Sequence, residues 1–314
     1  MTRVLVFTAD HVERAVSPAA AIDAVRGAFV EYTAGRWTMP PKVYVTNYPA
    51  GDFRAMPALG GGYALLKWIN SFPGNPARGL PTVSGVVLLS DAESGELRAV
   101  LDAGSVTALR TGAAAVLAAE LLARADAGAA AVIGAGVNGR AAASTFVARG
   151  RDVALWDVDH ERAAEAARAL GCRVAASVEE ALGADIVVTV TPGHETLIGD
   201  ETLRTGQHVS LMGADGPGKA EATTGALAKA RLFCDDWEQA SHGGELAHAV
   251  ASGLVTRSAV TTIGDVLSGA ADGRSNADEV TLFDSTGLAI QDLAIALTAF
   301  AARDELADLQ RLEL

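Results

Sequence analysis

Residues 129–150 read AAAVIGAGVNGRAAASTFVARG, and the rest of the chain is best understood outward from them. The unbroken apolar run 129–133 predicts a buried strand. Gly134, Gly136 and Gly139 follow at G-x-G-x-x-G spacing, and the next residues predict a helix that ends at Gly150. Strand, glycine turn and helix in that order form the context in which this motif binds a dinucleotide. Gly134 permits the tight turn, Gly136 lets the backbone approach a pyrophosphate, and Gly139 lets helix and strand pack closely. Val137 and Asn138 lie in the first turn of the helix, whose free N–H groups face phosphate. The next strand, DVALWD, ends in Asp157, about 20 residues beyond the glycines. A carboxylate there accepts hydrogen bonds from a ribose 2′-hydroxyl and repels a 2′-phosphate, which favours NAD over NADP. Asp159 competes for that role, and Arg162 offers a phosphate a partner.

The alternation continues downstream. HERAAEAARALG predicts a helix, and DIVVTVT, HVSLMGA, RLFCDD and EVTLFDS predict further strands. Apolar strands alternating with helices predict an α/β doubly wound parallel sheet, a Rossmann domain. Thr189 and Thr191 end one of its strands. They read either as contacts to the adenosine side of the cofactor or as turn chemistry.

Upstream the texture differs. Ser17 and Pro18 predict a helix start, with Ile22, Val25, Phe29 and Tyr32 on one face and Gly35 as the stop. The first 35 residues read as helix-rich. KVYVTNY, DFRAM and YALLKWIN are short strand-like runs, and VSGVVLLSD and ELRAVLD flank a short loop as a hairpin. This half predicts an antiparallel sheet. A long Ala/Leu helix starts at Ser105 and leads to a joint at 124–127. A last helix is predicted over GLAIQDLAIALTAFAARDEL.

Composition sets outer bounds. Half the 314 residues are apolar and 20% are charged, a globular balance, and the net charge of −13 comes without a basic stripe. A nucleic-acid partner is therefore not expected. Cys172 and Cys234 lack metal-like spacing and read as free thiols, with one disulfide left open and no metal expected. The N-terminal residues have no secretory pattern, and no continuous apolar span of about 20 residues stands out, so a cytoplasmic protein without a membrane partner is expected.

Several motifs are more specific than the glycine turn. The runs MPPKVYV, GDFRAMPA, LKWINSFPGNPARGLPTVSGVVLL, TALRTGAA, GADGPGK, DDWEQASHGGE and TLFDSTGLAIQD resemble the ornithine cyclodeaminase/μ-crystallin family, especially its archaeal-type alanine dehydrogenase branch. The likeness runs nearly the whole chain in the right order. It implies a Rossmann domain, 124–287, inserted into an α+β dimerisation and substrate domain, 1–123 plus 288–314. It also implies an active site in the cleft and a homodimer whose sheets combine in a barrel-like core.

Carried over residue by residue, the resemblance makes Lys67 the active-site lysine, Asp215 the catalytic aspartate and Arg110 a carboxylate-binding arginine. Lys42 and Arg54 match the alanine dehydrogenase branch as substrate-binding cations. Thr82, Thr111, Ser285 and Thr286 are implied near the cofactor. His242, Glu238 and Glu245 read as structural.

The chemistry suits these types. Cations clamp the carboxylate of an amino or imino acid, and a lysine among other cations has a lowered pKa that fits general acid–base work. The implied activity is an NAD-dependent alanine dehydrogenase. The alternatives are ornithine or lysine cyclodeamination, reduction of a cyclic or other ketimine, and, outside catalysis, a crystallin-like binding role. Arg54 weighs against cyclodeamination, because a cation repels the distal ammonium such substrates carry.

Overall fold

The structure is a computed structural model and describes residues 3–192, 196–214, 216 and 218–314. In chain order the first elements are β1 (Arg3–Phe7), α1 (Ala9–Ala15), α2 (Pro18–Thr33), β2 (Val43–Asn47), β3 (Gly51–Gly60), β4 (Tyr63–Ser71), β5 (Val83–Asp91), β6 (Leu97–Asp102) and α3 (Ala103–Leu122). Next come β7 (Ala129–Ile133), α4 (Val137–Ala148), β8 (Asp152–Trp156), α5 (His160–Leu170), β9 (Arg173–Val174), β10 (Ile186–Thr189), β11 (His208–Leu211), β12 (Arg231–Cys234), β13 (Val260–Thr262) and β14 (Thr281–Asp284). The chain ends with a C-terminal helix (Ala289–Ala301) and β15 (Gln310–Glu313). Two compact units result. One comprises residues 1–110 and 288–314, the other 111–287. The division falls inside α3, whereas the sequence placed the joint just after that helix.

The first unit is built on a seven-stranded sheet in the order β15-β1-β6-β5-β4-β3-β2. The meander β2 to β6 is antiparallel, as its turn-bounded runs predict. The expectation of a wholly antiparallel sheet needs correction at one edge. RVLVF, taken into a helix-rich start, is the strand β1, and it pairs parallel to β6. β15 then closes the edge antiparallel to β1, where the sequence ran the last helix through to Leu306. Five residues leave no room for a full alternating pattern, so the pairing partner decides.

One sheet face is apolar and covered. Met56, Ala58, Leu65, Ile69, Val87 and Leu89 are buried there, and α2 and the C-terminal helix pack on that side. Ser17 caps α2 by accepting the Ala20 N–H, with Pro18 at the first position, as the sequence predicts. Asp52, Arg54 and Lys67 share this buried face, and their departure from its apolar pattern marks the candidate site.

The second unit carries an eight-stranded sheet in the order β13-β12-β14-β11-β10-β7-β8-β9, parallel throughout. The chain runs outward from β7 through β8 and β9, then returns to pair β10 against the other side of β7. This reversal is the topological switch point at which doubly wound sheets bind ligands. Ala131, Ile133, Val187, Val209, Leu211 and Leu282 form the core of one face, so these strands read as continuous apolar runs. α3 is long and apolar enough to cross a membrane by length and composition, and 72% of its most apolar stretch is buried inside the protein. The sequence expectation that no such span exists is corrected to a buried core helix.

Candidate functional site

The glycine turn lies at the switch point of the second unit. Gly134 has φ of 111°, and a Cβ there would stand 2.6 Å from the Val190 carbonyl oxygen beyond β10. A Cβ on Gly139 would stand 1.8 Å from the Gly134 carbonyl oxygen, so the start of α4 rests directly on the turn. Gly136 faces open space and is exposed, which leaves room for a phosphate over the helix N-terminus. Val137 and Asn138 begin that helix, and Arg140 donates from Nε to the Ala135 carbonyl at 3.1 Å. Asp157 directly follows β8 and is buried. One carboxylate oxygen accepts the Ala135 N–H at 2.6 Å and the other the Asp159 N–H at 2.9 Å. The carboxylate therefore staples the glycine turn to the neighbouring strand and keeps lone pairs for a ribose. Arg162 is held by Asp159 at 2.9 Å and lies 3.7 Å from Asp157, so its charge is already opposed.

Other residues expected at the cofactor fare differently. Thr111 and Ser285 are buried, and their hydroxyls have no hydrogen-bond partner among the described residues. Thr189 is fully buried, and its hydroxyl donates to Glu221 at 2.6 Å. Thr191 donates to the same carboxylate through hydroxyl and backbone, and the Gly213 N–H joins them at 2.8 Å. Both hydroxyls thus donate to Glu221. Glu221, which the sequence did not single out, organises the strand ends. Glu245 in turn accepts the N–H groups of Glu221 and Ala222, and burial beside Glu221 pushes its pKa up to about 8. His242 is exposed and engaged with the Glu238 carbonyl, in keeping with a structural role.

The first unit brings Lys67, Arg110 and Arg54 near one another. Arg54 on β3 lies on the covered face and donates to Asp52, two residues back on the same face, at 2.6 and 3.3 Å. Met56 on β3 is in register with Lys67 on β4, which in turn is in register with Val87 on β5. Lys67 is only 1% exposed, and its Nζ donates to Asp292 Oδ1 at 2.9 Å. Asp292 is fully buried on the C-terminal helix, and Arg110 Nε stands 3.7 Å from the same oxygen. Arg110 Nε and Asp292 Oδ2 have no hydrogen-bond partner among the described residues. Burial pulls the Lys67 pKa down from 10.5 to about 8; Asp292 opposes that shift, and Arg110 and Arg54 add to it.

Among the described residues, Lys67, Arg54 and Arg110 gather with Asp52 and Asp292, and the Arg110 Nε–H has no hydrogen-bond partner. Such a site suits a small carboxylate ligand. Lys42 is half-buried just before β2, and Thr82 is half-buried just before β5. Asp215 lies outside the described residues. Asp292 was missed by sequence reasoning, although its signal is legible: a lone carboxylate inside the apolar run LAIQDLAIAL.

A switch-point glycine turn with its carboxylate, and a buried cationic cluster for a small acid, define a dinucleotide-dependent oxidoreductase. The chain belongs to the ornithine cyclodeaminase/mu-crystallin family, whose profile matches residues 3–304. It is 43% identical over 303 residues to the alanine dehydrogenase of Archaeoglobus fulgidus, covering 94% of each chain. A solved archaeal alanine dehydrogenase dimer with bound NAD superposes with a TM-score of 0.93 at 40% identity, covering 99% of both chains. The Thermococcus litoralis Δ1-pyrroline-2-carboxylate reductase, solved with NADH and L-proline, has a TM-score of 0.92 at 26% identity, covering 98% of this chain and all of that one.

Proposed function

We propose that this chain is an NAD-dependent dehydrogenase of small α-amino acids, with L-alanine as its favoured substrate. The reaction converts L-alanine, water and NAD⁺ to pyruvate, ammonium, NADH and a proton, and runs in both directions. The observation that carries the reading is the buried Lys67–Asp292 pair with Arg110 beside it, in a chain 43% identical to an alanine dehydrogenase.

NAD, when bound, supplies the hydride acceptor for the substrate α-carbon. Gly134, Gly136, Val137, Asn138, Gly139 and Asp157 would hold it, with Thr111 and Ser285 offering their buried hydroxyls. Arg110 takes the substrate carboxylate through the guanidinium edge that lacks an acceptor, and Lys42 adds positive charge. Arg54 is committed to Asp52, so it shapes and charges the site instead of presenting a free fork. Lys67 loses its proton near neutrality more readily than an ordinary lysine. It can therefore take the proton from the substrate ammonium or from the water that attacks the imine. Asp215 is the proposed second acid–base group, on the family resemblance.

The Asp52–Arg54 pair also bears on substrate choice. Asp52 is a carboxylate on the same face that could hold a distal ammonium, and it accepts from Arg54 instead. That favours a short aliphatic side chain over ornithine or lysine. A cyclic-imine reductase is the second reading, favoured by the likeness to the proline-bound reductase.

The outer face of the first unit's sheet supports a homodimer. Val43, Val45, Trp68 and Val86 are all exposed there, at 56, 52, 38 and 39%, a contiguous apolar surface that a second copy would cover. The cytoplasm is the proposed compartment.

Product analysis tests the reading. Purified protein with NAD and L-alanine should release pyruvate and ammonium, whereas L-ornithine should give no proline and L-proline no cyclic imine. Proline from ornithine would overturn the dehydrogenase assignment in favour of cyclodeamination.

A further inference from the structure

We propose that Asp292 is a positioning residue for the acid–base chemistry. In this role it fixes the Lys67 ammonium and the Arg110 guanidinium on one carboxylate oxygen and sets the proton balance of Lys67 in opposition to Arg110. The inference rests on the reading of Lys67 given above.

The geometry is specific. Lys67 projects from the middle of β4 toward the covered face, between Met56 and Val87 in register, where a bare ammonium would lose its hydration. Asp292 meets it from the C-terminal helix, and both side chains are essentially without solvent, at 1 and 0% exposed. The charged groups that act on Lys67 come from three elements. Asp292 lies on the C-terminal helix, Arg110 on α3, and Arg54 with its partner Asp52 on β3.

Asp292 Oδ1 serves both Lys67 at 2.9 Å and Arg110 at 3.7 Å, while Oδ2 has no hydrogen-bond partner among the described residues. One carboxylate thus faces two cations and cannot fully neutralise both. Its pull holds the proton on Lys67, and the two guanidiniums push it off. A ligand carboxylate arriving at Arg110 offsets part of that push. Substrate binding then raises the proton affinity of Lys67 at the moment it must accept one.

The chain has four lysines, Lys42, Lys67, Lys219 and Lys229, so each is resolvable by NMR after labelling with [ε-13C]lysine. The full-length protein would be titrated as wild type and as Asp292→Asn and Arg110→Gln variants, with Lys67→Arg assigning the signal. The wild-type Lys67 midpoint should fall at about 8. Asp292→Asn should lower it by about one pH unit or more, a tenfold gain in acidity. Asp292→Glu should restore it toward the wild-type value, and Arg110→Gln should raise it. An unchanged or raised midpoint in Asp292→Asn overturns the proposal. If that variant does not fold, an unchanged midpoint in Arg110→Gln does so instead. The pH profile of alanine oxidation separates this inference from the reading it rests on. A limb that moves with the NMR midpoint supports both. A midpoint that moves without the limb leaves the positioning role standing and removes Lys67 as the base.

Discussion

Lys67 illustrates how a single buried charge encodes both stability and chemistry. Its ammonium is tolerated in an apolar setting because Asp292 meets it. Asp292→Ala leaves the Lys67 and Arg110 charges unopposed and is expected to cost about 3–5 kcal/mol of stability, read as a lower denaturant midpoint, whereas Lys67→Ala should abolish turnover but leaves Asp292 to Arg110. Lys67→Met/Asp292→Leu, which removes the pair and leaves Arg110 alone uncompensated, should recover part of the stability lost in Asp292→Ala and none of the activity. A double variant as unstable as the single one would mean that the pair is not what destabilises it. Burial lowers the Lys67 pKa to about 8, so the group is protonated below that value and neutral above it. Amino-acid oxidation needs the neutral base, and its rate should rise as pH climbs through about 8. The reductive direction needs the proton and should fall over the same interval. A flat oxidation profile from pH 7 to 9 would contradict the assignment.

At the scale of elements, the glycine turn is the most constrained segment. A Cβ on Gly139 would overlap the Gly134 carbonyl, so Gly139→Ala should weaken NADH binding by about tenfold or more, measured by fluorescence titration. Asp157→Ala should lower the preference for NAD over NADP and also loosen the turn, because the carboxylate accepts the Ala135 N–H. An unchanged cofactor preference would assign the ribose to another carboxylate.

This turn and its strands were the most legible part of the sequence, because a fully buried parallel strand is apolar at every position and glycines punctuate it. The meander from β2 to β6 was legible for its turns. β1 and β15 were not, because each is short and specified by its partner across the sheet: Val4 pairs with Leu312 some 300 residues away. Lys67 and Arg110 stood out by motif, whereas Asp292 showed only as a lone carboxylate in an apolar helical run. A buried aspartate gains its meaning only from the lysine that a distant strand brings to it.

For the whole molecule, family membership and the two-unit construction account for most of the architecture, and one surface remains to be explained. The outer sheet face of the first unit is apolar, with Phe53 stacked on Trp68 at 5.6 Å and Phe72 edge-on to Phe53. A homodimer that covers this face should dissociate when Trp68→Glu places a charge in it. Sedimentation velocity should then show monomers that still bind NADH. A variant that remains dimeric would place the interface elsewhere.

The most direct test of the central claim is NADH absorbance with purified protein, pyruvate and 15N-ammonium near neutral pH, against controls lacking pyruvate or ammonium. The account predicts ammonium-dependent oxidation of NADH and one equivalent of 15N-alanine for each NADH consumed. No oxidation, in protein shown to bind NADH, would contradict it and move the activity to cyclic imines.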